Sequence, residues 1–321
     1  MQAKPVFVGV DVAKATLVAG FHGSAVRVKL ANQPGPIERW LETLPVEAIV
    51  AMESTGRYHR ELAELAYRSG RPVYVLNAGD VYYYAKALGS RGKTDRRDAQ
   101  VIARYVAEHH AELHAWRPGG EVETGLQTLL QRRARLVRHR VAVRQLMHGV
   151  ESLEAAARSL QEQFDQLLGH IDSEVERLLA RAPELARRTR LLRTITGIGP
   201  QASALLAALL SRIGFANADA LVAYSGLDPR ANDSGTKTGR RRLSKRGNAD
   251  LRRQLYLAGF GASHSKVFGP LYRALKDKGF KTTEALVILG RKLLRIAWAV
   301  WRSGQPFDPA RFAVPATCAQ T

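Results

Sequence analysis

An α/β domain built on a mixed sheet, then a helical arm, then a mostly α-helical C-terminal domain is the architecture these 321 residues predict. Three observations carry that expectation. Strand and helix signals alternate from Val6 to Glu108, a long helical pattern runs from Glu121 to Ala182 between Pro118 and Pro183, and the remainder is dominated by apolar helical stretches. The corresponding boundaries are 1–116, 117–190 and 191–321.

In the first segment, Val6–Val10 is a short apolar run ended by Asp11. Thr16–Phe21 and Ala25–Leu30 are β-rich and joined by a glycine-containing turn, and Pro36–Leu44 has helical spacing. The apolar run Ala48–Met52 then ends at Glu53. A helix over Tyr58–Arg68 is closed by Gly70, and a strand Pro72–Leu76 precedes helices near Val81–Leu88 and Asp95–Glu108. The order is β-β-β-α-β-α-β-α. Three consecutive strands pair as a meander, whereas strands reached through helices add in parallel by right-handed crossovers, giving a mixed sheet with helices on both faces.

In the arm, Leu146, Val150 and Leu153 recur at steps of four and three. Leu160, Phe164, Leu167, Ile171, Val175 and Leu178 continue the same alternation. This fits an antiparallel helical arm, either a coiled coil that dimerises or a packed helical subdomain. Arg132, Arg133, Arg135, Arg138, Arg140 and Arg144 give its first half a face able to track a phosphate backbone. Beyond Leu191, Thr194–Pro200 has glycine at the tip of a hairpin that enters the apolar helix Gln201–Leu210. Such a turn is either a helix-hairpin-helix-like element, whose backbone N–H groups hold a phosphate, or a plain helix–helix connection.

The formal charge of +20 says what the protein meets. Residues 191–321 carry 21 basic and 7 acidic side chains, an excess that suits a polyanion rather than a merely solubilising surface. With 45% hydrophobic residues the chain has ample material for a core, so the charge is not that of a disordered basic tail. The single cysteine, Cys318, excludes an intramolecular disulfide framework and a cysteine-based zinc site. Asp11 and Lys14 interrupt the first apolar run before it reaches signal-peptide length, and Arg291, Lys292 and Arg295 break Ala285–Trp301, so the expectation is a cytoplasmic protein without a membrane span.

Four carboxylates point to chemistry. Asp11 closes the first strand and Glu53 the fourth; if those strands are neighbours, both side chains emerge at one C-terminal edge. Asp95 and Asp98, three apart at a helix start, share a face. Converging carboxylates repel unless cations intervene, and Mg²⁺, held by a few carboxylates with phosphate oxygens, assists phosphodiester cleavage. Taken singly, each has an ordinary alternative: Asp95, for one, is a good helix N-cap.

GVDVAK around Asp11, AMESTGRYH around Glu53 and SRGKTDRRDAQVIARY carrying Asp95 and Asp98 resemble the DEDD transposases of the insertion-sequence-110 family. TITGIGPQASA, FANADALVAYSGLDPR and NDSGTKTGRRRLSKRGNADLRRQLY resemble the same family. The resemblance implies an RNase H-like, RuvC-type N-terminal domain whose Asp11, Glu53, Asp95 and Asp98 bind Mg²⁺, two ions being expected and Mn²⁺ a possible substitute. It implies excision and integration of a mobile element through attack by a C-terminal serine, here Ser234, which forms a 5′-phosphoserine link. It further implies double-stranded donor and target DNA, a structured non-coding bridge RNA that chooses the sites, and dimers assembling to a tetramer.

Lys93, Arg96, Lys237, Arg240, Arg241, Arg242, Ser244, Lys245 and Arg246 are the expected phosphate contacts, and Ser225 and Ser244 are rival nucleophiles, Ser225 reading better as buried packing. Tyr82, Tyr83 and Tyr84 could stack on bases, although a packed helix face is favoured. The alternative activity is a junction-resolving metal-dependent nuclease that uses water and forms no covalent intermediate.

Overall fold

The structure, a computed structural model, describes residues 5–54, 58–89, 95–230, 234, 239 and 241–312, with the backbone alone at 95–97, 311 and 312. The chain divides into two compact units, Met1–Pro118 and Gly119–Thr321.

The first unit carries β1 (Phe7–Val12), β2 (Thr16–Phe21), β3 (Arg27–Ala31), α1 (Pro34–Glu42), β4 (Ile49–Glu53), α2 (Arg60–Arg68), β5 (Val73–Leu76), α3 (Ala78–Ala87) and α4 (Asp95–His109). Its sheet has the order β3-β2-β1-β4-β5; β1, β2 and β3 form the antiparallel meander, and β4 and β5 add in parallel beside β1. Alternation along each strand divides the core in two. Val8, Val10, Leu17, Val50 and Met52 face Ile37 and Trp40 of α1 and Leu62 of α2. Ile49, Ala51, Tyr74 and Leu76 face Val81 of α3 and Ile102 and Val106 of α4.

Among the boundaries that differ from the sequence reading, β1 runs one residue past Asp11, to Val12, where Asp11 was expected to close the strand. Its antiparallel partner is the reason. A short turn leads straight back into β2, so Asp11 pairs with Val18 and Val12 with Leu17, while parallel pairing to β4 is described only as far as Val10 and Met52.

The second unit is helical apart from one short hairpin among the described residues. It contains α5 (Glu121–Leu146), α6 (Glu154–Ala180), α7 (Pro183–Arg193), α8 (Pro200–Arg212), α9 (Ala218–Ser225), β6 (Pro229–Arg230), β7 (Arg242–Leu243), α10 (Ala249–Ser263), α11 (Gly269–Asp277) and α12 (Thr282–Ser303). Leu126 and Leu130 of α5 and Val175 and Leu179 of α6 share one core with Leu192, Leu206, Leu255 and Leu293. The α5–α6 pair is an antiparallel hairpin, as its ion pairs show: Arg133 meets Asp172, Arg140 meets Asp165 and Arg181 meets Glu121. Leu146, Val150 and Leu153, which recur at helical steps, straddle the connection, and Leu146 is 73% exposed. Gly149, at φ +80°, turns the chain there.

The turn between α7 and α8 is packed rather than open on its Gly197 side: a Cβ at Gly197 (φ +96°) would lie 2.6 Å from the Ala258 carbonyl oxygen of α10. No described helix is long and apolar enough to cross a membrane.

Arg133 donates from Nε to Asp172 Oδ1 at 2.7 Å and from Nη2 to Oδ2 at 2.9 Å, with Gln201 Nε2 adding a bond at 3.3 Å. Burial pushes the Asp172 carboxyl up, but the Arg133 bonds and charge, with Gln201, outweigh this and hold it below the usual carboxylate range. A carboxyl depressed on folding contributes stability above its unfolded pKa of about 4 and loses it as pH falls through the folded value. Asp172→Asn should therefore cost about 1 kcal/mol at neutral pH, less than a fully buried pair because the site is part-exposed. Urea unfolding across a pH series checks this, with the wild-type advantage shrinking under acid.

Candidate active site

The carboxylates sit where two parallel strands end. Val8 pairs with Val50, Gly9 with Ala51 and Val10 with Met52, so the same register carried one step further sets Asp11 level with Glu53. Glu53 is the last residue of β4 and pairs with Leu76 of β5. Residues level in neighbouring strands project to the same face, here the one that also bears Phe7, Gly9, Ile49 and Ala51 and is covered by α4.

Gly9 determines how close α4 comes. A Cβ there would lie 2.9 Å from the Ala103 Cα and closer still to Ala103 N and Ala99 O, so the helix rests directly on the β1 backbone. Gly20, paired with Gly9, meets Ala99 and Gln100 in the same way but at 3.3 Å. At the other end of the helix the Phe7 ring lies 5.0 Å from the His110 ring. Helix and strand are thus antiparallel, and the N-terminal turns of α4 lie at the Asp11 end of β1.

Asp98 is one step of four before Ile102 and two before Val106, which pack on Ile49 and Ala51. It therefore continues the sheet-facing stripe of α4 toward the edge that bears Glu53. Asp11, Glu53 and Asp98 are all half-buried. Asp95 opens α4 one turn earlier; its side chain, that of Arg96, and Lys93 lie outside the described residues. Among the described residues no three His, Cys, Asp or Glu side chains form a cluster able to hold a metal ion. The described candidates at this edge, Asp11, Glu53 and Asp98, offer carboxylate oxygens, which fit a hard divalent cation and not a thiophilic one.

The second unit presents a hydroxyl. β6 and β7 pair antiparallel, Pro229 with Leu243 and Arg230 with Arg242, and Ser234 is exposed in the segment they bracket. Lys237 and Arg240 lie outside the described residues; Arg241, Arg242, Lys245 and Arg246 are exposed beside the hairpin.

The base of the hairpin is fixed by backbone contacts. α9 ends at Gly226 in the left-handed conformation, φ +71°, and the Lys245 N–H donates to its carbonyl at 3.1 Å. A Cβ on Gly247 would stand 2.7 Å from Ser225 O and closer to Tyr224 O, so the chain after β7 lies against the end of α9. Arg252 of α10 donates to Ser225 O at 3.2 Å and also to Gly247 O, and burial lowers the pKa of its guanidinium. No local motif signalled that Arg252 clamp, because it depends on a helix arriving from elsewhere in the chain.

The rival serines are engaged. Ser225 is buried, donates to Val222 O at 2.7 Å and accepts from the Leu227 N–H at 3.2 Å. Ser244 donates its hydroxyl to the Asp228 carboxylate. Of the three hydroxyls, Ser234 alone is exposed. In α5, Arg133, Arg138 and Arg140 pair with Asp172, Asp250 and Asp165, leaving Arg132, Arg135 and Arg144 as the exposed part of the stripe without a described ion pair.

Residues 8–151 match the DEDD IS110 transposase family, and residues 189–273 match the family described as Transposase IS116/IS110/IS902. The pilin gene-inverting protein of Moraxella bovis is 31% identical over 94% of this chain and 97% of its own length. The chain belongs to the IS110 family of transposases. The pilin gene-inverting protein of Moraxella lacunata is 32% identical over the same shares. An insertion element IS116 uncharacterized 44.8 kDa protein of Streptomyces clavuligerus is 30% identical over 38% of this chain and 31% of its own. Membership makes this transposase an enzyme of DNA recombination acting on DNA, implies an RNase H-like fold for the five-stranded sheet, and implies dependence on a divalent metal.

Proposed function

We propose that this transposase excises and integrates an insertion sequence by covalent serine chemistry. Ser234 Oγ attacks a DNA phosphorus, the bond to the 3′ oxygen breaks, and the protein is left joined through a 5′-phosphoserine. The proton leaving the serine hydroxyl is balanced by the one taken up by the departing 3′ oxygen, which leaves as a hydroxyl. Reversal on a second DNA partner completes strand transfer. The observation that carries this reading is the exposed Ser234, on a hairpin anchored by backbone contacts and flanked by Arg241, Arg242, Lys245 and Arg246, while both neighbouring serines are engaged.

Asp11, Glu53 and Asp98, joined by Asp95, would hold Mg²⁺, with Mn²⁺ as substitute. When bound, the metal neutralises phosphoryl charge and favours the ionised oxygen. The protein's own groups bind phosphates: Lys93 and Arg96 in the first unit, and Lys237, Arg240, Arg241, Arg242, Ser244, Lys245 and Arg246 around Ser234 in the second.

The Moraxella relatives are named for inverting a pilin gene. Inversion, like excision and integration, exchanges strands between two sites, and we carry that reaction over to this chain. Exchange requires cuts on both strands of two DNA partners, which suits dimers pairing into a tetramer, with the arm at 117–190 as the dimerising coiled coil. We assign the choice of sites to a structured bridge RNA paired with donor and target DNA, so that the protein reads backbone shape and leaves sequence to base pairing.

The test is the chemistry of the product. Wild-type protein incubated with matched DNA and RNA, quenched in denaturant and digested, should yield a peptide bearing a nucleotide on Ser234 in mass spectrometry. Free 5′-phosphate ends with no peptide attached would instead establish hydrolysis by the junction-resolving route.

A further inference from the structure

Three consecutive tyrosines in α3 do different things. Residues 100° apart cannot all face one partner, and Tyr84 takes the inward position: it donates to Glu108, and its ring lies edge-on to Tyr105 at 5.1 Å and to His109 at 5.7 Å. Burial, then the Glu108 bond and charge, push its hydroxyl up to about 12. Val81 fills the core beneath. Tyr82 and Tyr83 are therefore turned away, 54% and 64% exposed, against the packed face expected for all three.

The outward pair is organised. The two rings meet edge to face with centroids 5.4 Å apart, and the Lys86 ammonium stands 4.7 Å from the Tyr82 centroid. Leu76, which pairs with Glu53, ends β5 two residues before α3 begins. At 1.5 Å per residue, Tyr82 and Tyr83 lie about 6–8 Å along the helix axis from Ala78, its first residue.

We propose that Tyr82 and Tyr83, with Lys86, form a stacking platform for an unpaired DNA strand beside the carboxylate edge. An aromatic face needs a base whose own face is free, which a duplex hides within its stack, and a cation beside the rings suits the adjoining phosphate. The source of the strand follows from position: a strand opened for cleavage passes the edge from which α3 departs. That last step rests on the reading of the edge as the cleavage site, whereas the binding surface does not.

The test uses full-length protein and fluorescence anisotropy at one fixed salt concentration, with an oligothymidylate of about 20 nucleotides and a duplex of equal length. Tyr82→Ala with Tyr83→Ala should weaken oligothymidylate binding by about tenfold or more and leave duplex binding within about twofold, while Tyr82→Trp with Tyr83→Trp restores single-strand affinity. Photocrosslinking of 5-iododeoxyuridine in the oligothymidylate should label Tyr82 or Tyr83 even with excess oligouridylate present. Unchanged single-strand affinity, an equal loss on duplex, or a crosslink abolished by oligouridylate would each overturn the proposal, the last by assigning the platform to RNA. Binding is read without cleavage, so failure here leaves the serine mechanism standing, and a failed adduct assay leaves the platform standing.

Discussion

Strand cleavage by the Asp11→Asn protein should fall by about 10³-fold or more, because the change removes one of the anionic oxygens that would hold the divalent metal. The substitution is nearly isosteric and lies in a strand paired through Val18, so the fold and DNA affinity should persist. Ser234→Ala should abolish the covalent adduct equally but for a different reason, since it deletes the attacking oxygen while every carboxylate remains. Single-turnover cleavage at saturating DNA, read in parallel for adduct and for free ends, separates the two. Asp11→Asn protein cutting at the wild-type rate would sink the assignment of the edge. Ser234→Ala protein that still cuts, releasing free 5′-phosphates, would convert the enzyme into a hydrolase.

Gly9→Ala should be the most damaging single methyl group in the first unit. The added Cβ would meet backbone atoms of Ala99 and Ala103, which no rotamer change can move aside, so α4 itself has to lift from the sheet. Overpacking of this kind costs about 3 kcal/mol or more. Gly20→Ala provides the contrast: its new Cβ reaches Ala99 and Gln100 only at 3.3 Å, and the cost should be about 1 kcal/mol. Urea unfolding of the two variants measures the difference. Cleavage by folded Gly9→Ala protein should also be impaired, because the helix that lifts is the one carrying Asp98. Equal stability of the two variants would show that α4 does not rest on the β1 backbone.

Much of the first unit was legible because its strands announce both their burial and their ends. Val6–Val10 and Ala48–Met52 are continuous apolar runs, as strands covered on both faces must be, and each gives way to a carboxylate at the same edge. The extension of β1 past Asp11 to Val12 was not legible, since pairing with β2 outlasts pairing with β4 and only the three-dimensional register shows that. Gly9 reads in sequence as one more small residue in a strand; its meaning is the helix backbone lying on it. In the arm, Leu146, Val150 and Leu153 have helical spacing by composition alone, and the glycine at 149 overrides it. The basic excess pointed to nucleic acid, but the sequence could not divide the arginines of α5 between those that pair with Asp172, Asp165 and Asp250 and those that face outward. Ser225 was legible as a packing residue from its apolar setting, and it is buried, whereas the engagement of Ser244 by Asp228 is a tertiary fact.

The hairpin that bears Ser234 is held at its root by main-chain atoms: Gly226 and Gly247 pressed against their neighbours, and Arg252 clasping two carbonyls. Replacing Ser234 therefore leaves every residue of that root in place, which separates what presents the hydroxyl from what holds the strands that bracket it.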